Sequence, residues 1–185
     1  MPDSSVLLEG LGHWDYHDAH TQTSLLGEAN NTTIPQLVDL LDRLPLLVER
    51  YSETRVVTIL NDTFTGKTYE DLIWTLGESL RRFLKRNKPL RQSPELWTRV
   101  EAICCDPRYG RGRESFTMLL GQYGGRDRVP ILVGLLEDDQ VQGHALYALR
   151  LLGAAQARAK AEQLLDSPRT WIRAEARKYL RKIVK

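Results

Sequence analysis

The sequence predicts an all-α protein in which helical hairpins stack on one another. Apolar residues recur at positions i, i+4, i+7 and i+8, which is the spacing of one face of an α-helix. The same pattern returns after 29 and then after 31 positions in the C-terminal half, starting at Gly112, Val141 and Ile172. A hairpin of about 30 residues cannot cover its own apolar face, so neighbouring hairpins must stack.

Three repeats can be followed between residues 94 and 185, each with a first helix, a short turn containing aspartate, and a second helix. Gly153 follows a second helix, at a place where a left-handed C-cap favours glycine. The apolar positions of the second helices are expected to be buried between neighbouring hairpins; they include Ala145, Ala148, Leu149, Ala176 and Leu180. The four tryptophans, Trp14, Trp74, Trp97 and Trp171, are interpreted as core residues.

The last repeat carries the pattern most fully. Ile172-Arg173, followed by Ala176 and Leu180, resembles the second helix of a HEAT repeat, especially the short bacterial kind related to phycobilisome-lyase repeats. The preceding repeat also fits, although Gln142 stands where the pattern has arginine. The resemblance covers about half of the chain and implies a right-handed α-α superhelix, a HEAT-like solenoid of about five helical hairpins. It carries information on fold and little on activity.

The rest of the chain is assigned around these repeats. Residues 34–93 are predicted to form one or two divergent helical hairpins, and residues 1–33 an N-terminal cap over the first apolar face. Together with the three HEAT-like repeats of residues 94–185, they are expected to make a single domain.

Helix boundaries in the divergent segment follow from local signals. A helix is predicted to begin after Thr33 as N-cap and to be kinked or broken at Pro45. A long helix is predicted from Thr68, its N-cap, to about Arg86. The β-branched residues of segment 54–64 would suit a strand, but the helical neighbourhood favours a helix. No sheet is therefore expected from the first helix onward.

Charge is distributed unevenly along the chain, although the net charge is only +2. Residues 1–80 contain 13 acidic and 4 basic side chains, and residues 81–185 contain 11 acidic and 22 basic ones, which gives −9 and +11. A basic half indicates an acidic partner, either protein or nucleic acid, unless the charge only solvates the helix faces.

Composition excludes several classes of protein. Hydrophobic residues make up 42% and charged residues 27% of the chain, as in ordinary globular proteins. The sequence has neither a membrane-spanning apolar run nor a secretory signal at its N-terminus. The only two cysteines, Cys104 and Cys105, are adjacent and form no metal-binding set. We therefore expect a cytoplasmic protein without a cofactor and without membrane association.

One segment near the N-terminus contains metal-ligand side chains. His13, Asp15, His17 and His20 could supply imidazole and carboxylate ligands for zinc, iron or nickel. They match no known signature, and no distant ligands complete the set. We therefore predict that this segment is a polar cap and that the purified protein contains no stoichiometric metal.

Candidate binding residues cluster at one turn and on the second helices. Arginine and aromatic side chains together can hold phosphates or anchor a protein interface. Second helices stacked in one sense would lie side by side on one face. The predicted partner-binding residues are Arg108, Tyr109, Arg111, His144, Arg150, Arg173 and Arg177. Arg113 is instead interpreted as bracing a turn against its helix.

The function predicted from these patterns is binding without catalysis, because the sequence presents no acid–base dyad and no nucleophilic triad. The partner is expected to be a protein with an acidic surface, which would make the chain an adaptor, a scaffold or an inhibitor such as an immunity protein for a toxin. The alternative is a DNA-binding protein of the alkylpurine glycosylase type, which also stacks HEAT-like hairpins. A lyase-type subunit for phycobilin attachment is a third hypothesis.

Overall fold

The structure is a computed structural model in which the described residues are Thr23, Leu26, 32–52, 56–60 and 63–183, the two strands by their backbone. They divide into two compact units: the N-terminal unit ends at Arg113, and the C-terminal unit begins at Glu114. The division therefore falls within the first predicted repeat. Most of the predicted cap, with His13, Asp15, His17, His20 and Trp14, lies outside the described residues.

The described part of the N-terminal unit contains helices and one β-hairpin. These elements are α1 (Ile34–Asp42), α2 (Leu44–Tyr51), β1 (Val56–Leu60), β2 (Thr63–Lys67), α3 (Tyr69–Arg86) and α4 (Pro94–Cys105). The 3-10 turns Lys88–Gln92 and Pro107–Gly112 follow α3 and α4. Helix α1 packs against α4, and α3 packs against both α2 and the Pro107–Gly112 turn.

The C-terminal unit consists of short helices joined by tight turns. Its helices are α5 (Arg113–Leu119), α6 (Val129–Gly134), α7 (Gln142–Leu152), α8 (Arg158–Gln163) and α9 (Thr170–Ile183). Helix α5 starts on the last residue of the N-terminal unit and continues as a π-helical turn over Leu120–Gly124. Helix α7 packs against α6, α9 and the π-helical turn, and α8 packs against α9. The pairs α6–α7 and α8–α9 are therefore two hairpins whose second helices are in contact.

The helix boundaries follow the predicted local signals. The Thr33 N–H donates to Gln36 Oε1 (2.9 Å), and the Thr68 N–H donates to Asp71 Oδ2 (2.6 Å). Both threonines are thus N-caps closed by a capping box, which satisfies amides that the first turn leaves without partners. Pro45 lies in the first turn of α2, just after α1 has ended. Gly153 ends α7 in the left-handed region at φ 63°.

The helix predicted over residues 54–64 is wrong, because β1 and β2 form an antiparallel hairpin there. Val56 pairs with Lys67 and Leu60 with Thr63. The β-branched residues of β1 lose side-chain freedom in a helix, which favours the strand. Every other element that the structure describes is helical, so the predicted all-α helical-repeat class is confirmed while the expectation of no sheet is corrected.

The interior of the C-terminal unit agrees with the predicted repeat register at four of five positions. Ala145, Ala148, Leu149 and Ala176 are fully buried, which confirms that they pack between helices. Leu180 is only half-buried. The neighbouring Tyr179 takes the interior position instead, because its hydroxyl donates to the Ala154 carbonyl and accepts the Ala157 N–H.

A glycine allows α7 to approach the π-helical turn closely. A Cβ added at Gly121 would lie 2.4 Å from Cβ of Ala148, which is far below any real contact distance. The two backbones can therefore touch only while position 121 has no side chain and position 148 has a small one.

Candidate functional site

The first predicted binding residues lie on the turn after α4. Asp106 begins this turn by accepting the Arg108 N–H at Oδ1 (3.0 Å). The exposed Arg108 guanidinium folds back onto the same carboxylate, with its Nη2 2.5 Å from Oδ2. Tyr109 is buried, whereas Arg111 is exposed. Of the three predicted residues, only the two arginines therefore reach the surface of this turn.

The shape of the turn is fixed from inside by Arg113. Gly110 adopts φ 50° and ψ −136°, which non-glycine residues avoid. Arg113 is fully buried; its Nε donates to the Gly110 carbonyl (2.8 Å), and its Nη1 donates to the Cys104 carbonyl (3.3 Å). Arg113 thus ties the turn to the end of α4, as interpreted from the sequence.

A cleft of about 190 Å³ lies beside Tyr109 in the N-terminal unit. Its lining includes Leu41, Asp42, Arg99, Ile103, Asp106 and Tyr109. Arg99 Nε and Asp42 Oδ1 are 2.6 Å apart at its rim. Burial raises the pKa of the Tyr109 phenol, and the nearby Asp106 carboxylate raises it further. The cleft therefore combines an apolar floor with arginines that already hold aspartates.

The Asp106 charge predicts a defined pH dependence of stability. The Arg108 guanidinium, by donating hydrogen bonds, lowers the pKa of the Asp106 carboxyl. A lowered folded-state pKa contributes stability above the unfolded value of about 3.9 and loses it as pH falls through the folded value. We expect Asp106→Asn to melt below the wild type at neutral pH and the gap to close as pH falls below about 3.9, through the lowered pKa of the folded protein. A gap that stays constant in thermal melts across this range would contradict the assignment.

In the C-terminal unit, His144 and Arg150 lie along the seam between α7 and α9. The rings of His144 and Trp171 have centroids 4.8 Å apart, and His144 Nδ1 is 3.9 Å from Glu114 Oε1. Arg150 forms an ion pair with the buried Glu175. Because its charge is engaged inside the unit, Arg150 ties α7 to α9 and is less able than an exposed arginine to meet a partner.

Three arginines spaced by four residues follow one face of α9, and we call them the arginine row: Arg173, Arg177 and Arg181. Arg173 Nη1 donates to the carbonyls of Ser167 (2.7 Å) and Pro168 (3.0 Å), so it closes the turn before the helix. Arg177 and Arg181 are exposed, and neither forms an ion pair with the part of the chain that the structure describes.

The predicted binding residues are thus distributed over separate surfaces. Arg108, Tyr109 and Arg111 share a turn of the N-terminal unit, His144 and Arg150 share the α7–α9 seam, and Arg173 and Arg177 share the arginine row. Residues 108, 111 and 177 have exposed side chains, whereas 109 is buried and 144, 150 and 173 are half-buried.

Sequence reasoning missed Trp171. It was interpreted as a core residue with the other tryptophans, yet it is 44% exposed, and Trp74 is 40% exposed. Trp97 is buried, as predicted. The exposure of Trp171 could have been inferred from its position directly before Ile172, because adjacent residues of a helix point about 100° apart.

In the described ranges, no three His, Cys, Asp or Glu side chains are close enough to hold a metal ion. The same ranges contain no helix with the length and apolar character needed to cross a membrane.

Comparison with known proteins gives only distant structural likenesses. No family model matches the sequence, and no curated protein matches it. An engineered protein is similar at 16% identity and a TM-score of 0.45; the alignment covers 98% of this chain, which spans 48% of that one. A second engineered protein has 15% identity and a TM-score of 0.40; the alignment covers 100% of this chain and 97% of that one. A designed armadillo repeat protein has 14% identity, a TM-score of 0.36, and coverage of 98% and 100%.

These likenesses carry no argument about activity or partners. The assignment to the helical-repeat class depends on the helices described above, and the candidate site depends on this chain's own side chains.

Proposed function

We propose that this protein is a non-catalytic, HEAT-like protein-binding module whose C-terminal unit recognises an acidic protein surface. The observation that supports this proposal is the pair of exposed guanidinium groups at Arg177 and Arg181. Both are on a well-formed helix whose opposite side, including Ile172 and Ala176, is fully buried. The fold therefore fixes the backbone positions of both arginines before any partner arrives, which lowers the ordering cost of binding.

The charge of the row favours a partner that carries carboxylates. Guanidinium groups bind carboxylates through paired hydrogen bonds, and arginine is enriched at protein interfaces. Two exposed arginines four residues apart lie about 6 Å apart along the helix, so they suit two acidic side chains on one partner segment. Adaptor, scaffold and inhibitor roles, including that of an immunity protein, are all compatible with such a surface.

Reversing the charge of the row provides the test. We expect Arg177→Glu/Arg181→Glu to weaken partner binding about tenfold or more, mainly through slower association, while the melting temperature changes by a few degrees at most. Lys85→Glu/Lys88→Glu is the matched control, because it reverses two exposed lysines in the N-terminal unit. It should leave affinity nearly unchanged.

The partner would be captured by a photo-crosslinking residue placed at Ala174 on α9, then purified and titrated against the full chain by calorimetry. Equal affinities for both charge-reversal variants would contradict the proposal. Duplex and single-stranded DNA would be titrated in parallel at several salt concentrations. Submicromolar binding to DNA with a steep salt dependence, lost in Arg177→Glu/Arg181→Glu, would replace the acidic protein by nucleic acid.

A further inference from the structure

Trp171 is an exposed aromatic residue whose ring packs closely against helix α7. Its indole lies against α7 at Gly143, where an added Cβ would be 2.2 Å from Cη2 and 2.6 Å from Cζ3 of the ring. The Trp171 ring also packs against the ring of His144, with an angle of 45° between the two ring planes. The ring is thus held in place although 44% of the residue is open to solvent.

Gly143 is unfavourable in the first turn of a helix unless something requires it, because glycine is a poor helix former. The requirement here is the space that the Trp171 ring occupies, together with Cγ1 of the buried Ile172, which would lie 2.9 Å from an added Cβ. An aromatic ring that packs this closely is usually buried, yet Trp171 remains 44% exposed. A large aromatic group that is held in position and still exposed is the typical form of a binding hot spot.

The charged side chains near Trp171 indicate which groups of a partner could bind beside it. Lys178 is seven positions further along α9, so it lies two turns away on the same face at about 10 Å. The Lys178 side chain is 56% exposed, although its Nζ lies 3.7 Å from Glu175 Oε2, and Arg181 follows one turn later. Glu175 pairs with both Arg150 and Lys178, and Glu114 is buried beside His144. The exposed Asp139 accepts from Gln142 Nε2 at Oδ1 and from Arg169 Nη1 at its carbonyl.

We infer that Trp171 is the apolar anchor of the binding surface, and that the partner segment has one aromatic or large aliphatic side chain about 10 Å from its acidic residues. In an extended peptide this distance corresponds to about three residues. The inference rests on the proposed function, since it takes the acidic character of the partner from the arginine row. It adds the apolar contact and the spacing, which is set by the position of Lys178 on α9 rather than by the arginine row.

The test uses random 12-residue peptides displayed on phage and selected against the full chain. Selection on the wild type should enrich acidic peptides that contain one apolar position about three residues from the acidic cluster. Selection on Trp171→Ala should keep the acidic residues and lose the apolar position. Trp74→Ala is the matched control, because Trp74 is similarly exposed but belongs to the N-terminal unit; it should leave the enriched pattern unchanged.

A second variant keeps the tryptophan and fills the space against which its ring packs. Gly143→Ala should push the far end of the exposed indole aside and displace the buried Ile172 slightly, because the added Cβ would lie 2.9 Å from its Cγ1. Helix α7 should stay folded, because alanine is a better helix former. An enriched peptide should bind both Trp171→Ala and Gly143→Ala about tenfold more weakly than the wild type. Replacing the apolar residue of the peptide by alanine should abolish these differences, as a double-mutant cycle requires.

The outcomes separate this inference from the proposed function. If acidic peptides are enriched but Trp171→Ala and Trp74→Ala bind them equally, the anchor is wrong and the acidic surface stands. If enriched peptides lack acidic residues and still depend on Trp171, the acidic partner is wrong. If no peptide is enriched, both are overturned.

Discussion

Replacing Ala148 by aspartate should lower the free energy of unfolding by about 3–5 kcal/mol. Ala148 has no exposed surface, and it touches Gly121 so closely that even a methyl group on that glycine would not fit. An aspartate would therefore place a carboxylate where neither water nor a cation can reach it, and it would force α7 away from the π-helical turn. Urea denaturation followed by circular dichroism measures the loss.

The control for this prediction is the same substitution at Ala159 in α8. Ala159 is exposed, so Ala159→Asp should cost at most about 1 kcal/mol, through helix propensity alone. If Ala148→Asp unfolds at the same urea concentration as the wild type, the register of the repeat helices described here is wrong.

Removal of the Arg113 side chain should destabilise the N-terminal unit by about 3 kcal/mol or more. The Gly110 and Cys104 carbonyls would each lose a charged donor, and the space of a long buried side chain would be left empty. Arg113→Lys should recover only part of the loss, because one ammonium group cannot reproduce the geometry of a guanidinium that reaches both carbonyls.

The neighbouring Arg111 offers the comparison, since its side chain is exposed on the same turn. Arg111→Ala should change the free energy of unfolding by about 0.5 kcal/mol or less. Equal stabilities of Arg113→Ala and Arg111→Ala in thermal and urea unfolding would show that Arg113 does not brace the turn.

The elements predicted well from the sequence were those governed by local chemistry. Thr33 and Thr68 could be recognised as N-caps because a cap depends on residues only three positions away. The burial of Ala145, Ala148 and Ala176 followed from helical periodicity, which repeats within a few turns and needs no knowledge of distant contacts. Arg113 was interpreted correctly for the same reason, since both its acceptors lie within nine residues along the chain.

The features that the sequence did not predict depend on competing local preferences or on contacts between residues far apart in the chain. Segment 54–64 contains residues that suit either a strand or a helix, and the choice of helix depended on its neighbours rather than on its own composition. Leu180 was predicted to be buried but is only half-buried. The adjacent Tyr179, also predicted on the buried side, has its hydroxyl bonded to a carbonyl and an amide 25 and 22 residues away. Arg150 stays a predicted partner-binding residue, but its ion pair with Glu175, 25 positions away, could not be foreseen from local pattern.

The two close approaches made by glycine also constrain how this chain can change in evolution. A side chain at position 121 is compatible with the fold only if position 148 or the helix spacing changes with it, whereas a side chain at position 143 conflicts mainly with the Trp171 ring. Positions 121 and 148 should therefore stay small together in every related sequence. Positions 143 and 171 should vary as a pair, with glycine retained where tryptophan is kept and lost where the partner no longer uses it.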